Sequence, residues 1–227
     1  MKAFMHPGRL WRAEGAATED SVRPHVLWLP PAAVVDYFRQ VREVLASYED
    51  LVAPVADEDL HWTIQGALSH DYADERVGPR QLKDAADALR TELAHQEPFT
   101  LDIGPVALSR SAVLARVWPH DVPADPPLHL NLRVRAGLSN AGLVLPEAAE
   151  AYFPHMSAAY GKVDTHYLAQ MDRADSLASA LLRRARHHVT TRVDSVWLVM
   201  ETQHPDRHTY TFERIQEVPL GRSANRS

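Results

Sequence analysis

Apolar positions recur along this chain with two periods, one typical of strands and one of helices. Residues 23–29 form a short, mainly apolar run that ends at two prolines and predicts a first strand. Residues 32–48 place apolar side chains three and four positions apart, which predicts a helix. The helical spacing returns at residues 80–95, 128–140 and 171–186. Strands that alternate with helices in this way indicate an α+β fold.

The remaining apolar runs are short and bounded by turn residues, which predicts further strands. They lie at residues 60–68, 99–103, 113–117, 152–160, 193–200 and 209–215. Gly104 and Pro105 are expected to end the strand that begins at residue 99. The last two strands are expected to pair across a turn at residues 204–206.

The order of elements repeats along the chain. His61 and His155 lie 94 positions apart, and the same offset carries the helix at 32–48 onto the helix at 128–140. The helix at 80–95 likewise falls on residues 171–186. Little sequence is shared, so the repeat is one of pattern. It predicts two similar α+β lobes related by a pseudo-twofold axis.

Each repeat contains one histidine followed, two positions later, by a hydroxyl residue on a predicted strand. His61 precedes Thr63, and His155 precedes Ser157. Side chains alternate along a strand, so each histidine shares a face with its hydroxyl residue. Imidazoles exchange protons near neutral pH. Two such pairs that meet across a cleft would therefore suit a phosphate.

Each of these pairs also has a structural explanation, because histidine, threonine and serine often lie on half-buried strands without any function. Their joint occurrence in equivalent places of a repeat favours the functional interpretation. Gln65 shares the face of His61 and Thr63 on a regular strand and is a predicted contact to a phosphate or base. Tyr160 lies at a strand end, where it either packs in the core or turns into the cleft to stack on a base.

Composition narrows the function classes. The chain has 227 residues, 45% of them hydrophobic, and a formal net charge of −6, which disfavours a stable complex with long nucleic acid. It has no cysteine, so disulfides and thiolate chemistry are excluded. No apolar run has the length of a membrane span or a secretory signal, and we expect a cytoplasmic protein. Residues 1–22 are predicted to be an extension, 23–218 one bilobal domain, and 219–227 a flexible tail.

Motifs for other chemistries are weak or absent. His204 and His208 are four positions apart, but Pro205 between them argues against a zinc-binding helix. No glycine-rich phosphate loop or nucleophile elbow occurs. The sequence therefore predicts neither a metal site nor a bound cofactor.

The two His-x-Thr/Ser segments, with Ile64 and Ala158 as their last residues, resemble the twin signature of the 2H phosphoesterase superfamily. That superfamily includes bacterial 2′–5′ RNA ligase-like proteins and 2′,3′-cyclic phosphodiesterases. The resemblance covers roughly residues 23–215, although Ala158 is smaller than the aliphatic residue more usual there. It implies a duplicated two-lobe fold, in which each lobe is an antiparallel sheet with two helices and the lobes flank a central cleft.

The resemblance also implies a reaction. His61 and His155 would act as acid and base, in either assignment, while Thr63 and Ser157 would donate hydrogen bonds to phosphate oxygens. The expected enzyme is a metal-independent, monomeric phosphodiesterase that opens 2′,3′-cyclic phosphates or cleaves or joins 2′–5′ linkages of nucleotides or RNA ends. Two alternatives stay open: a nucleotide-binding module without turnover, and an enzyme recruited to another small-molecule phosphoester.

Overall fold

The computed structural model describes residues 1–5, 22–67, 77–120, 125–146, 152–165 and 168–221. The strands in these residues are β1 (Val22–Trp28), β2 (Val52–Pro54), β3 (Trp62–Gly66), β4 (Phe99–Leu108), β5 (Ala112–Pro119), β6 (His155–Gly161), β7 (Val189–Val193), β8 (Ser195–His204) and β9 (Thr209–Pro219). The α-helices are α1 (Ala32–Leu45), α2 (Pro79–Leu93), α3 (Pro126–Asn140) and α4 (Leu168–Arg184).

The strands form one antiparallel sheet in the order β7-β4-β5-β6-β3-β1-β8-β9, with β2 beside β6. Strands β3 and β6 meet at the centre through one residue pair, Trp62 with Met156. This junction divides the sheet into a first lobe, β3-β1-β8-β9, and a second lobe, β6-β5-β4-β7. Helices α2 and α3 pack on the first lobe, and α1 and α4 on the second. The predicted α+β fold, with two antiparallel lobes of two helices each, is confirmed.

Neither lobe corresponds to one half of the sequence. Strand β4 follows β3 in the chain but belongs to the second lobe, and β8 returns from the second lobe to complete the first. The helices are exchanged as well. In sequence, α1 follows β1, a strand of the first lobe, yet it packs on the second lobe. The two repeats are therefore interleaved, and each contributes strands and helices to both lobes.

Three details of the strands differ from the sequence prediction. Strand β4 continues past Gly104 and Pro105 to Leu108. The two residues form an irregularity in the strand, because its register against β5 shifts between Ile103 and Val106. Gly104 has a φ of +112°, which glycine adopts without strain. The strand predicted at 193–200 is two strands, β7 and β8, separated by Asp194. The short strand β2 was not predicted. Leu68, the end of the predicted strand at 60–68, lies outside the described residues.

The hydrophobic core lies between the helices and one face of the sheet. Trp28, Trp62 and Met156 are cross-strand neighbours on that face, and each is at most 3% exposed. Side chains at alternate positions point to the opposite face, which we call the cleft face. No α-helix in the described part of the chain is both long and apolar enough to cross a membrane.

The first and the last described segments of the chain contact the body of the protein. The Lys2 and Phe4 amides donate hydrogen bonds to the Arg110 and Gly161 carbonyls, at 2.6 and 2.8 Å. At the other end Leu220 is 5% exposed, within the segment predicted to be a flexible tail. Residues 6–21 and 222–227 of the predicted extension and tail lie outside the described residues.

Candidate functional site

A cavity of about 160 Å³ opens on the cleft face where the two lobes meet. It contains all four residues of the two His-x-hydroxyl pairs, together with side chains from β1, β8, β9 and the N-terminus. The lining residues are Phe4, His25, His61, Thr63, His155, Ser157, Tyr160, Glu201 and Tyr210. Five of the six side chains predicted from the sequence therefore lie at one place, and Gln65 is the exception.

The pairing at the centre of the sheet explains why the two pairs converge. Trp62 and Met156 lie opposite each other in β3 and β6, with their side chains in the core. Each is flanked by its histidine and its hydroxyl residue, and alternation sends all four flanking side chains to the cleft face. The Trp62 indole also donates a 2.9 Å hydrogen bond to the Tyr152 hydroxyl. A single residue pair thus brings together groups that are far apart in sequence.

Each motif strand carries a bulge directly after its hydroxyl residue. The register of β3 against β1 leaves Ile64 without a partner, and the register of β6 against β5 leaves Ala158 without one. An extra residue reverses the alternation of side chains beyond it. The two repeats therefore share the irregularity as well as the residue pattern.

The bulge in β3 turns Gln65 away from the cavity. Gln65 is 8% exposed, and its side-chain oxygen accepts hydrogen bonds from Asn131 at 3.2 Å and Arg135 at 3.0 Å, both on α3. The expectation that Gln65 shares a face with His61 and Thr63 is wrong, because it assumed regular alternation. Contact of Gln65 with a substrate stays a prediction without support from the cavity lining.

The bulge in β6 turns Tyr160 into the cavity. Its ring packs against Phe4, with 4.4 Å between ring centroids, and burial raises the pKa of its phenol. Gly66 occupies the equivalent place after the bulge in β3, and the His25 ring fills the space that a side chain would take. A Cβ added at Gly66 would lie 2.6 Å from His25 Nε2.

Both motif histidines are oriented by main-chain carbonyls. His61 Nδ1 lies 2.7 Å from the Asp59 carbonyl, and His155 Nδ1 lies 2.9 Å from the Phe153 carbonyl. A carbonyl only accepts, so Nδ1 carries the proton in each neutral ring. Nε2 is then the atom that gains or loses a proton in both histidines.

Glu201 and His25 form a buried pair beside His61 that the sequence did not predict. Glu201 Oε2 lies 3.1 Å from His25 Nε2, and Oε1 lies 3.6 Å from His61 Nε2. The Glu201 side chain is 4% exposed. The available signal was a carboxylate directly after a strongly apolar run, residues 196–200, but neither residue belongs to a recognisable motif.

Burial determines the protonation of this group. It raises the pKa of Glu201 to about 8, with a smaller contribution from Asp59, and lowers the pKa of both His25 and His61 to about 4. At neutral pH Glu201 therefore keeps its proton. His25 Nδ1 lies 3.2 Å from the Arg23 carbonyl and donates to it, so His25 Nε2 accepts the Glu201 proton. The contact is a hydrogen bond between neutral groups.

His204 and His208, the other histidine pair considered from the sequence, are not among the residues that line the cavity. His204 Nε2 lies 2.8 Å from Thr211 Oγ1. Within the described ranges, no group of three or more histidine, aspartate or glutamate side chains has an arrangement that fits a metal ion.

Comparisons with known proteins agree with this fold. The model of the 2′-5′ RNA ligase superfamily matches residues 29–205. A search among curated proteins finds no significant match. The crystal structure of TT0787 of Thermus thermophilus is 14% identical, with a TM-score of 0.61 over 89% of this chain and 100% of that chain. A crystal structure described as a phosphoesterase is 15% identical, with a TM-score of 0.59 over 88% and 98%.

Escherichia coli LigT, crystallised with 3′-AMP, is 14% identical, with a TM-score of 0.58 over 87% of this chain and 97% of that chain. LigT has also been crystallised with NADP+, ATP and phosphate. At these identities the structures establish the fold, and the match to the family model covers most of the chain. The chain belongs to the 2′-5′ RNA ligase superfamily, within the 2H phosphoesterases.

Proposed function

We propose that this protein is a metal-independent phosphodiesterase that opens 2′,3′-cyclic phosphates, or cleaves or joins 2′–5′ linkages, in nucleotides or RNA ends. The observation that carries the proposal is the convergence of two imidazoles and two hydroxyls from two lobes on one small cavity. LigT binds nucleotides and phosphate, which supports a nucleotide ligand here. The net charge of −6 favours a short substrate over long RNA.

In hydrolysis of the cyclic phosphate, the water oxygen forms a bond to phosphorus and the bond from phosphorus to one ribose oxygen breaks. One imidazole takes the proton that water loses, and the other gives a proton to the departing ribose oxygen. Thr63 and Ser157 donate hydrogen bonds to the non-bridging oxygens, where negative charge increases in the transition state. In ligation, a hydroxyl of a second RNA end takes the place of water: its oxygen bonds to phosphorus, it gives its proton to one imidazole, and the departing ribose oxygen receives a proton from the other. Cleavage of the 2′–5′ linkage is that step in reverse, with the roles of the imidazoles exchanged.

The two histidines differ in surroundings, which favours one assignment for hydrolysis. The His61 side chain is 9% exposed, and its lowered pKa leaves Nε2 unprotonated at neutral pH, as a base requires. His155 is half-buried, and its hydrogen bond to the Phe153 carbonyl is exposed. We therefore assign His61 as the base that activates water and His155 as the acid.

Glu201 and His25 would stabilise the charge that His61 gains. When His61 takes a proton, a shift of the Glu201 proton to His25 Nε2 leaves a carboxylate 3.6 Å from His61 Nε2. A carboxylate at this distance favours the charged imidazole. Glu201 is in this account a positioning residue, because it acts through His61.

The test is turnover of nucleoside 2′,3′-cyclic phosphates and 2′–5′ linked oligonucleotides in excess chelator. We expect His61→Ala and His155→Ala each to lower kcat by about 10² to 10⁴-fold, the usual contribution of general acid–base catalysis. His129→Ala, on the exposed surface of α3, is the matched control and should leave activity unchanged.

No turnover by folded wild-type protein would contradict the proposal. Calorimetry with mononucleotides then distinguishes the alternative, because tight binding without hydrolysis indicates a binding module. Equal activity in wild type and in both histidine variants would place the reaction elsewhere.

A further inference from the structure

Arg116 lies on the cleft face beside the cavity, between two aromatic rings. It is the cross-strand partner of His155, so both side chains project to the same face. Its guanidinium carbon lies 3.7 Å from the centre of the Trp118 ring and 4.8 Å from that of Phe153. The two rings fix the plane and position of the guanidinium group.

These rings extend the site outward from the cavity. Trp118 is 40% exposed and Phe153 is 46% exposed, so two aromatic rings that share one guanidinium face solvent beside the cavity. The Phe153 ring centroid lies 5.5 Å from that of His155. Phe153 precedes His155 by two residues and Trp118 follows Arg116 by two residues, so in these antiparallel segments both rings lie on the same side of the His155–Arg116 pair, about 7 Å along the chain direction. Arg116 lies beside His155 in the sheet, and its guanidinium, which stacks on both rings, is displaced from His155 toward them along the cleft face.

The charge of Arg116 is not compensated by any described residue. It has no ion pair or hydrogen bond within the described part of the chain, whereas Arg42, Arg90 and Arg173 each bond to an aspartate. The cavity lining itself contains neither lysine nor arginine. An anion on this side of the cleft would therefore find a fixed guanidinium with its N–H groups available.

We propose that Arg116 binds a second phosphate of the substrate, one nucleotide step from the phosphate that reacts. The inference rests on the proposed function, because it takes the reacting phosphate to lie between His61 and His155. A guanidinium group matches two phosphate oxygens at once. Stacking between rings reduces the entropy lost when it binds. The preferred substrate is then an RNA end or a nucleotide with a further phosphate, rather than a plain cyclic mononucleotide.

The test compares adenosine 2′,3′-cyclic phosphate with and without a 5′-phosphate. In wild type, kcat/KM should be higher for the 5′-phosphorylated substrate. Arg116→Gln should lower kcat/KM for that substrate by about 10 to 100-fold, as expected for loss of a charge-assisted hydrogen bond. It should change kcat/KM for the substrate without a 5′-phosphate by no more than about twofold. For Arg116→Lys, kcat/KM with the 5′-phosphorylated substrate should lie between the values of wild type and Arg116→Gln, because lysine keeps the charge but not the paired donors.

Arg90→Gln is the matched control, because Arg90 is paired with Asp87 on the outer helix α2. It should not change the preference between the two substrates. Rising salt concentration should lower the ratio of kcat/KM values for the two substrates in wild type and leave that ratio unchanged in Arg116→Gln.

The measurements distinguish an error in the second phosphate site from an error in the proposed function. If wild type turns over both substrates equally, and Arg116→Gln affects both equally, the second phosphate site is wrong and the function stands. If wild type turns over neither substrate, calorimetry tests Arg116 separately by comparing the affinities of adenosine 3′-phosphate with and without a 5′-phosphate. Equal affinity for these two ligands would overturn the inference.

Discussion

Glu201 lies between two imidazoles, and this position determines where protons reside in the cavity at neutral pH. Its carboxyl group bonds to His25 Nε2 at 3.1 Å and lies 3.6 Å from His61 Nε2. Because burial raises the pKa of Glu201 to about 8, the carboxyl group is protonated at neutral pH. A cavity with this arrangement can accept a proton at His61 without leaving an isolated buried charge.

Substitution of Glu201 tests this role. Glu201→Gln keeps a donor for His25 but cannot become negative, so we expect kcat to fall by about 10 to 100-fold with little change in KM. The low-pH limb of the rate profile, expected near pH 4 from the pKa of His61, should move as well. Glu201→Asp should recover part of the activity. An unchanged profile in Glu201→Gln would show a purely structural role.

The site residues differed in how readily the sequence predicted them. His61, Thr63, His155 and Ser157 were found because residue type and strand alternation are local properties. Glu201 and His25 meet through the pairing of β8 with β1, which no local pattern encodes. Their contact depends on tertiary structure, and a lone acidic residue after an apolar run is too common to indicate a site.

At the scale of elements, the two bulges decide which residues face the cavity. Apolar periodicity predicted most strands and all four helices, because it reflects which side chains are buried. A bulge adds one residue without altering that local pattern, so the reversed directions of Gln65 and Tyr160 could not be read from it. Strand β2, with three residues, was too short to give a periodic signal.

Gly66 offers a test of the first bulge. In Gly66→Ala the new Cβ would lie 2.6 Å from His25 Nε2, so the ring must leave Glu201. We expect about a tenfold loss of kcat, and a destabilisation of about 1–3 kcal/mol from overpacking. Gly78→Ala is the control, since no heavy atom lies within 4 Å of its Cβ. Activity assays and thermal unfolding measure both effects. Equal kcat and equal stability in Gly66→Ala and Gly78→Ala would contradict the close contact between Gly66 and the His25 ring.

At the scale of the whole molecule, the buried titratable groups predict how stability depends on pH. Above pH 6.5, the folded protein holds the Glu201 proton up to about pH 8, while the unfolded chain releases it near 4.5. The free energy of unfolding therefore falls as pH rises from 6.5 to 8. Below pH 6.5 the unfolded chain binds protons on His25 and His61, which stay neutral to about pH 4 in the fold, so stability falls again.

We therefore expect maximal stability near pH 6.5, measured by urea unfolding across pH 5 to 9. Glu201→Gln should lose the decline between pH 6.5 and 8 and keep the decline on the acid side. The same alkaline decline in wild type and variant would show that Glu201 is not the group responsible.

The 94-residue offset predicted two related lobes, because repeated element order survives even where sequence identity does not. It could not predict which repeat supplies each strand, since β4 and β8 have the same apolar pattern whichever lobe they join. Partner choice depends on contacts between strands that are far apart in the chain, such as the pairing of Trp62 with Met156.

The interleaving leaves each repeat with only part of either lobe. A polypeptide with only the first repeat would hold β1 and β3 without β8, and its α1 would lack β6 and β7, two of the strands that it packs against. Exchange of a strand and a helix with a second identical copy would bury these surfaces. We therefore expect a chain of half this length to complete both lobes as a strand-exchanged homodimer, an exchange that the covalent link between the repeats makes intramolecular in the present chain.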